Sequence, residues 1–157
     1  MNETNKSKEN FILFELNKTT YAIQSSVVKQ MEMIDQITPI PNAPDYIEGI
    51  VFSRGIVTPV INLRKRFGFE AIETTLSSRL IVVQSNEGTV GLIADSAREF
   101  IAIPAESIQP PPENISGLSG KYLEGIATLM ERVILILDVE SMLKLSDTTI
   151  DIKNLKK

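Results

Sequence analysis

Tyr46–Ile50 reads YIEGI and Tyr122–Ile126 reads YLEGI. The match continues on both sides of this pair. At a shift of 76 residues, YIEGIVFSRGIVTPVINLRKRF (46–67) lies over YLEGIATLMERVILILDVESML (122–143) without a gap. Gly49 falls on Gly125, Val60-Ile61 on Ile136-Leu137, and Asn62 on Asp138. Upstream, at a shift of 69, NKTTYAIQSSVVKQM (17–31) lies over NEGTVGLIADSAREF (86–100). Turns and apolar positions carry this second match more than identity does. The seven-residue difference between the shifts falls in connecting loops, around IPAESIQPPPENISGLSG, where insertions are tolerated. The chain therefore reads as two copies of one unit, about 11–68 and 79–144.

Each unit is expected to run strand, turn, strand, short helix, strand, loop, hairpin, short helix. FILFEL and RLIVVQ are β-branched and aromatic runs of strand length. NEG at 86–88 marks a hairpin between LIVVQ and TVGLIA. VILIL (133–137) is an unbroken apolar run, as expected of a strand buried on both faces. Pro59 lacks an N–H, which places its strand at an edge or a bulge. Asn62 and Asp138 are N-cap candidates for the short helices after the hairpins, and Gly68 would stop the first. The expected fold is all-β: two five-stranded β-barrel subdomains related by the repeat, with short helices, packed because neither buries enough surface alone. Residues 1–10 read as a polar, disordered tail, 11–145 as the domain, and 146–157 as a C-terminal tail.

Composition limits the function. Charged residues make up 23% of the 157 residues and net charge is −4, which disfavours phosphate backbones and anionic membranes. The basic run Arg64-Lys65-Arg66 is the one local exception. Without cysteine there is no thiol chemistry, and without histidine the commonest general base and metal ligand are missing. No phosphate-binding glycine loop occurs, and Asp35, Asp95 and Asp138 are scattered. The reading is a non-enzyme with no catalytic, metal or cofactor site. No apolar run reaches the roughly 18 residues of a membrane span, so a cytoplasmic protein with no direct membrane insertion is expected. A small β-barrel could also bind single-stranded nucleic acid, but that needs a basic groove with exposed aromatics, and only 6% of this chain is aromatic.

Where the copies agree, fold is the cause; where they differ at one turn, function is a candidate. The first copy carries Arg54-Gly55 where the second carries Met130-Glu131. Gly55 suits a tight turn with positive φ, which would set Arg54 at the tip with its guanidinium free for a partner.

ITPIPNAPDYIEGIVFSRGIVTPVINLRKRFG closely resembles the hallmark of CheW-like chemotaxis coupling proteins: a proline-flanked entry, a glycine-initiated hairpin with an Arg-Gly turn, a Pro-Val strand and an (D/N)LR helix. TVGLIADSAREFIAIPAESIQPPP and YLEGIATLMERVILILDVESML resemble the family's later segments, so the resemblance spans about Phe11 to Leu145. It implies a scaffold of two five-stranded barrels. Such a scaffold couples the cytoplasmic tip of methyl-accepting chemoreceptors to the regulatory domain of a CheA-type histidine kinase, in arrays at the inner membrane. Carried over by position, it assigns receptor binding to Val28, Gln30, Arg54, Ala97 and Phe100, and kinase binding to Gly49 and Gly55. Both a groove position and a core position suit Val28 and Phe100. The chain departs from the family's pattern at Phe52-Ser53, often Asn-Leu, and at Gln30, often a glutamate able to pair with the hallmark arginine. A related adaptor of a non-flagellar pathway, such as pilus motility, fits these departures.

Overall fold

The computed structural model describes residues 8–86, 88–112 and 122–144. Among the described residues, eleven strands form two sheets, joined by the short helices Leu63–Arg66 and Val139–Leu143 and the 3-10 turns Ser25–Val27 and Ala105–Ser107. The first repeat supplies β1 (Lys8–Leu16), β2 (Thr19–Gln24), β3 (Val28–Met33), β4 (Ile47–Ser53) and β5 (Ile56–Asn62). The second supplies β6 (Arg79–Ser85), β7 (Gly88–Ala94), β8 (Ser96–Pro104), β9 (Ile108–Gln109), β10 (Leu123–Leu129) and β11 (Arg132–Leu137). Helices Leu63–Arg66 and Val139–Leu143 follow the two late hairpins. In each, the expected cap holds: the Asn62 side chain accepts from the Lys65 N–H and that of Asp138 from the Ser141 N–H. Gly68, at φ 83, ends the first helical turn.

The sheets do not follow the repeats. One orders as β8-β1-β2-β11-β10-β9 and the other as β3-β6-β7-β5-β4. Each repeat thus sends its first hairpin into the sheet that holds the other repeat's second hairpin. The two seams are parallel and equivalent: Thr20, Tyr21 and Ala22 of β2 pair with Ile134, Leu135 and Ile136 of β11. On the other sheet, Val60, Ile61 and Asn62 of β5 pair with Gly91, Leu92 and Ile93 of β7. Repeat units 11–68 and 79–144 are units of sequence, each shared between two sheets.

Each sheet curls so that one edge strand runs on to meet the other edge. β8 continues through the turn Ala105–Ser107 into β9, which pairs with β10. The chain beyond β3 returns to β4 by a two-way bridge: Thr38 N–H to Ile50 O and Ile50 N–H to Thr38 O, both 2.8 Å. The same bridge explains Pro59. β5 lies inside its sheet, not at an edge. Pro59 stands opposite Ile50, whose N–H and C=O both go to Thr38, and the ladder to β7 begins one residue later at Val60. No partner calls for a proline N–H at that position.

Apolar clusters occupy three places. Phe11, Leu13, Ala22, Ile103, Ala127, Ile134 and Ile136 fill the concave side of the six-stranded sheet. Val60, Leu80, Val82 and Ile93 fill that of the five-stranded sheet. The largest cluster joins the sheets and includes Phe14, Tyr21, Ile61, Ile81, Leu92, Phe67, Leu137 and Met142. In β11, Ile134, Ile136 and Leu137 are buried and Leu135 is half-buried against the joint core, whereas Val133 at its start is exposed. β1 starts at Lys8, so residues 8–10 belong to a strand and not to the expected tail. Residues 1–7 and 146–157 lie outside the described residues. In the first repeat the short helix before the third strand is the turn Ser25–Val27; in the second a bend at Asp95 replaces it.

Candidate functional site

β3 and β8 are equivalent strands of the two repeats, one in each sheet, and each carries a bulge. Val28 packs against the joint core and Ala97, 5% exposed, belongs to it. Beyond the bulge of β3, Met31 lies opposite Ile81 of the joint core, while Gln30 and Glu32 lie opposite Val82 and Leu80 of the smaller core. Side chains alternate along a strand, so Met31 shares the face of Val28 and Gln30 turns to the other. On β8, Ile101 and Ile103 pack into the concave side of the six-stranded sheet. Phe100, between Ile101 and the bulge, turns to the joint-core face and is 66% exposed. The structure thus sets Val28 and Ala97 in one core, with Met31 and Phe100 exposed on the same face of their strands. Met31 was missed by sequence reasoning, although the shift of 69 places it on Phe100.

Gln30 does not join this face. Its Nε2 donates to the Glu32 carboxylate. Glu32, Met33, Thr38, Val51, Phe52 and Leu80 line a cleft of about 350 Å³ between the end of β3 and β4.

The β4–β5 hairpin is a second surface. Arg54 and Gly55 have φ of 54° and 78°, a two-residue turn of the type whose twist matches paired strands. Gly55 has nothing within 4 Å of where a β-carbon would stand. Arg54 is exposed, as its turn position predicts, and forms no ion pair with another described residue. Next to the turn, Phe52 (74% exposed) faces its cross-strand partner Val57, also exposed. Gly49 does not belong to the surface. It is buried, at φ 146, and a β-carbon there would stand 2.0 Å from the Thr38 carbonyl oxygen. Its role is to let β4 approach the chain after β3.

Charge distinguishes the two copies. Glu48 accepts from Asn62 Nδ2 at 2.8 Å and pairs with Lys65 Nζ at 3.1 Å. Its equivalent, Glu124, has Asp138 and Ser141 where Glu48 has Asn62 and Lys65. Burial, then the charges of Asp138 and Glu9, push the Glu124 carboxyl above its ordinary value. Arg64, beside Lys65 in the first helix, grips Asp95 with two hydrogen bonds, 2.9 and 2.7 Å. Burial alone would raise the Asp95 carboxyl; bonds from Arg64 and the Asn17 N–H outweigh it and hold the group below its ordinary value. The hydrogen bond to Asp95 in turn raises Arg64.

Residues 10–147 match the CheW-like domain. The chain is 32% identical over 135 residues to the chemotaxis protein CheW of Klebsiella aerogenes, covering 86% of this chain and 81% of that one. It is 33% identical over 138 residues to the chemotaxis protein CheW of Bacillus subtilis, covering 88% of both. The crystal structure of the scaffolding protein TtCheW from Thermoanaerobacter tengcongensis matches with a TM-score of 0.83 at 32% identity, covering 90% of this chain and 97% of that one. The match extends through both repeats and both sheets, and on this ground the chain belongs to the CheW-like family.

Proposed function

We propose that this chain is a non-enzymatic adaptor of chemotaxis signalling that holds the tip of a chemoreceptor and the regulatory domain of a CheA-type histidine kinase in one complex. The observation that carries the reading is exposed apolar side chains at two kinds of position on one fold. Met31 on β3 and Phe100 on β8 stand at equivalent positions of the two repeats, taken in this reading as one surface, the β3/β8 face; Phe52 and Val57 stand beside Arg54 on the β4–β5 hairpin. An adaptor needs two surfaces that can be occupied together.

The β3/β8 face suits a helical receptor tip, since small and apolar side chains accept an amphipathic helix. Met31 adds a flexible, polarisable contact there. The hairpin suits the kinase domain: its apolar pair is flanked by an arginine, a residue type that dominates binding energy when a partner desolvates it. Gly55 permits the turn, and Gly49 acts on the same hairpin from within. No helix among the described residues is long and apolar enough to cross a membrane, so in this reading the chain joins arrays at the inner membrane through the receptor. Gln30, bonded to Glu32 and not to Arg54, favours one variation: service to a chemosensory pathway other than flagellar motility.

Capture of the cognate kinase, with its regulatory domain present or deleted, tests the reading. Capture should require that domain and should fall when Phe52 is changed to Ser. Equal capture without the domain would count against the hairpin as the kinase surface.

A further inference from the structure

Arg66 is 7% exposed and has no carboxylate partner among the described residues. Its guanidinium carbon lies 4.8 Å from the centre of the Tyr46 ring and 5.0 Å from that of Tyr122. These tyrosines are the first residues of YIEGI and YLEGI, so the cation sits between the two equivalent rings of the repeat. Its NH2 group donates to the carbonyl of Met142 at 3.3 Å, and Met142 is the residue equivalent to Arg66 itself. Its Nε has no hydrogen-bond partner among the described residues. Arg66 and Tyr46 belong to the five-stranded sheet's side of the molecule, Tyr122 and Met142 to the other.

Two equivalent ties flank it. The Asn17 N–H, in the β1–β2 turn, donates to Asp95, which the Arg64 of the first helix grips. The Asn86 N–H, at the β6–β7 turn, donates to Glu140 of the second helix. The second helix thereby reaches a hairpin turn of the other sheet directly, and the first does so through Asp95. The joint apolar core holds the sheets together, but burial of apolar surface has no direction and sets no angle. A flat guanidinium between two rings has one. Were the sheets to turn on each other, Arg66 would keep Tyr46 and lose Tyr122 and the Met142 carbonyl, leaving a buried cation with one ring in place of two and without that hydrogen bond.

We propose that Arg66 is a positioning residue that fixes the angle between the two sheets, and with it the spacing of the β3/β8 face and the hairpin, while neither sheet needs it to fold. The inference concerns the chain alone and stands apart from the identity of its partners.

The chain has no cysteine, so paired spin labels can be placed without background. Lys29→Cys with Thr128→Cys spans the two sheets, and Lys29→Cys with Phe52→Cys stays within one; all three sites are exposed. In Arg66→Met, which copies the residue at the equivalent position, the between-sheet distance distribution should shift or broaden while the within-sheet one stays unchanged. Arg66→Lys keeps the charge without the flat group and should behave alike; it carries the comparison if Arg66→Met does not fold. A between-sheet distribution superimposable on that of the unaltered protein would overturn the proposal. So would equal broadening of both pairs, or failure of both variants to fold.

Discussion

Gly49→Ala should be among the most damaging single-methyl additions this chain can receive. The added carbon would stand 2.0 Å from the Thr38 oxygen, 2.6 Å from its carbonyl carbon and 2.9 Å from the Pro39 Cα. All three are backbone atoms, so no side chain can swing aside. The φ of 146° is itself strained for any residue with a β-carbon. Relief requires breaking the Thr38–Ile50 bridge, two hydrogen bonds of 2.8 Å. Two backbone bonds contribute about 1–3 kcal/mol together, and the strained conformation costs about 1–3 kcal/mol. The expected loss of about 2–6 kcal/mol is a large part of a typical domain stability of about 5–15 kcal/mol. Gly125 is the internal control. There the nearest atom is a side-chain methyl, the Ile108 Cγ2 at 2.8 Å, and the nearest backbone oxygen, of Gln109, is 3.2 Å away, so no backbone atom lies as close as at Gly49. Gly125→Ala should cost about 1 kcal/mol. Urea melts of the two variants beside the parent measure both. A Gly125→Ala loss equal to or larger than that of Gly49→Ala would show that the Thr38 backbone does not set the cost. The same geometry predicts that Gly49→Asp lowers kinase capture in proportion to the folded fraction lost.

Arg54→Ala should leave stability within about 0.5 kcal/mol, since the site is an exposed turn, while weakening partner binding by about 1–2 kcal/mol; a melt and a titration with receptor-tip peptide and kinase regulatory domain separate the two effects. The Glu124 carboxyl, raised by burial and by Asp138 and Glu9, contributes stability that is complete below the ordinary value of 4.5 and is lost as pH rises through its raised value. Glu124→Gln should therefore gain on the parent as pH rises through that window, by at most about 0.5 kcal/mol once solvent screening is counted, as read from melts at pH 4 and pH 7. Asp95 has the opposite sign: its contribution is present above the ordinary value of 3.8 and is lost as pH falls through its lowered value, so Asp95→Asn should forfeit stability at neutral pH and converge with the parent in acid.

Local signals in the chain were legible because they depend on near neighbours. The positive φ of Gly55, the caps at Asn62 and Asp138, and the hairpins around the repeated YIEGI and YLEGI all follow from residues a few positions apart. The all-β family fold followed from the same pattern. The exchange of hairpins between sheets was not legible, since the repeat states which segments are alike and not which strands pair. Pro59 suggested an edge strand or a bulge because a missing donor normally needs one; its strand is interior, the β4–β5 ladder has an irregularity between Ile47 and Gly49, and the bridge from Thr38, distant in sequence, takes up the bonds of Ile50 opposite the proline. Arg66 looked like part of a basic surface run, and only the meeting of Tyr46 and Tyr122 shows that it is buried. For the candidate surfaces, Phe100 and Val28 were named with both core and groove positions open. The structure divides them, with Phe100 exposed and Val28 half-buried against the joint core. Met31 needed the strand register before its kinship with Phe100 carried meaning.

Whether one molecule of this chain holds receptor and kinase at once can be read from co-sedimentation of three purified components. Receptor signalling domains in nanodiscs are mixed with the CheA-type kinase, with or without this chain, and the kinase in the pellet is measured. The account predicts that kinase sediments with receptor only when the chain is present. It also predicts that Phe100→Asp releases chain and kinase together from the receptor, while Phe52→Ser leaves the chain on the receptor and frees the kinase. Equal kinase in the pellet with and without the chain, or loss of both partners by either substitution in a folded variant, would contradict it.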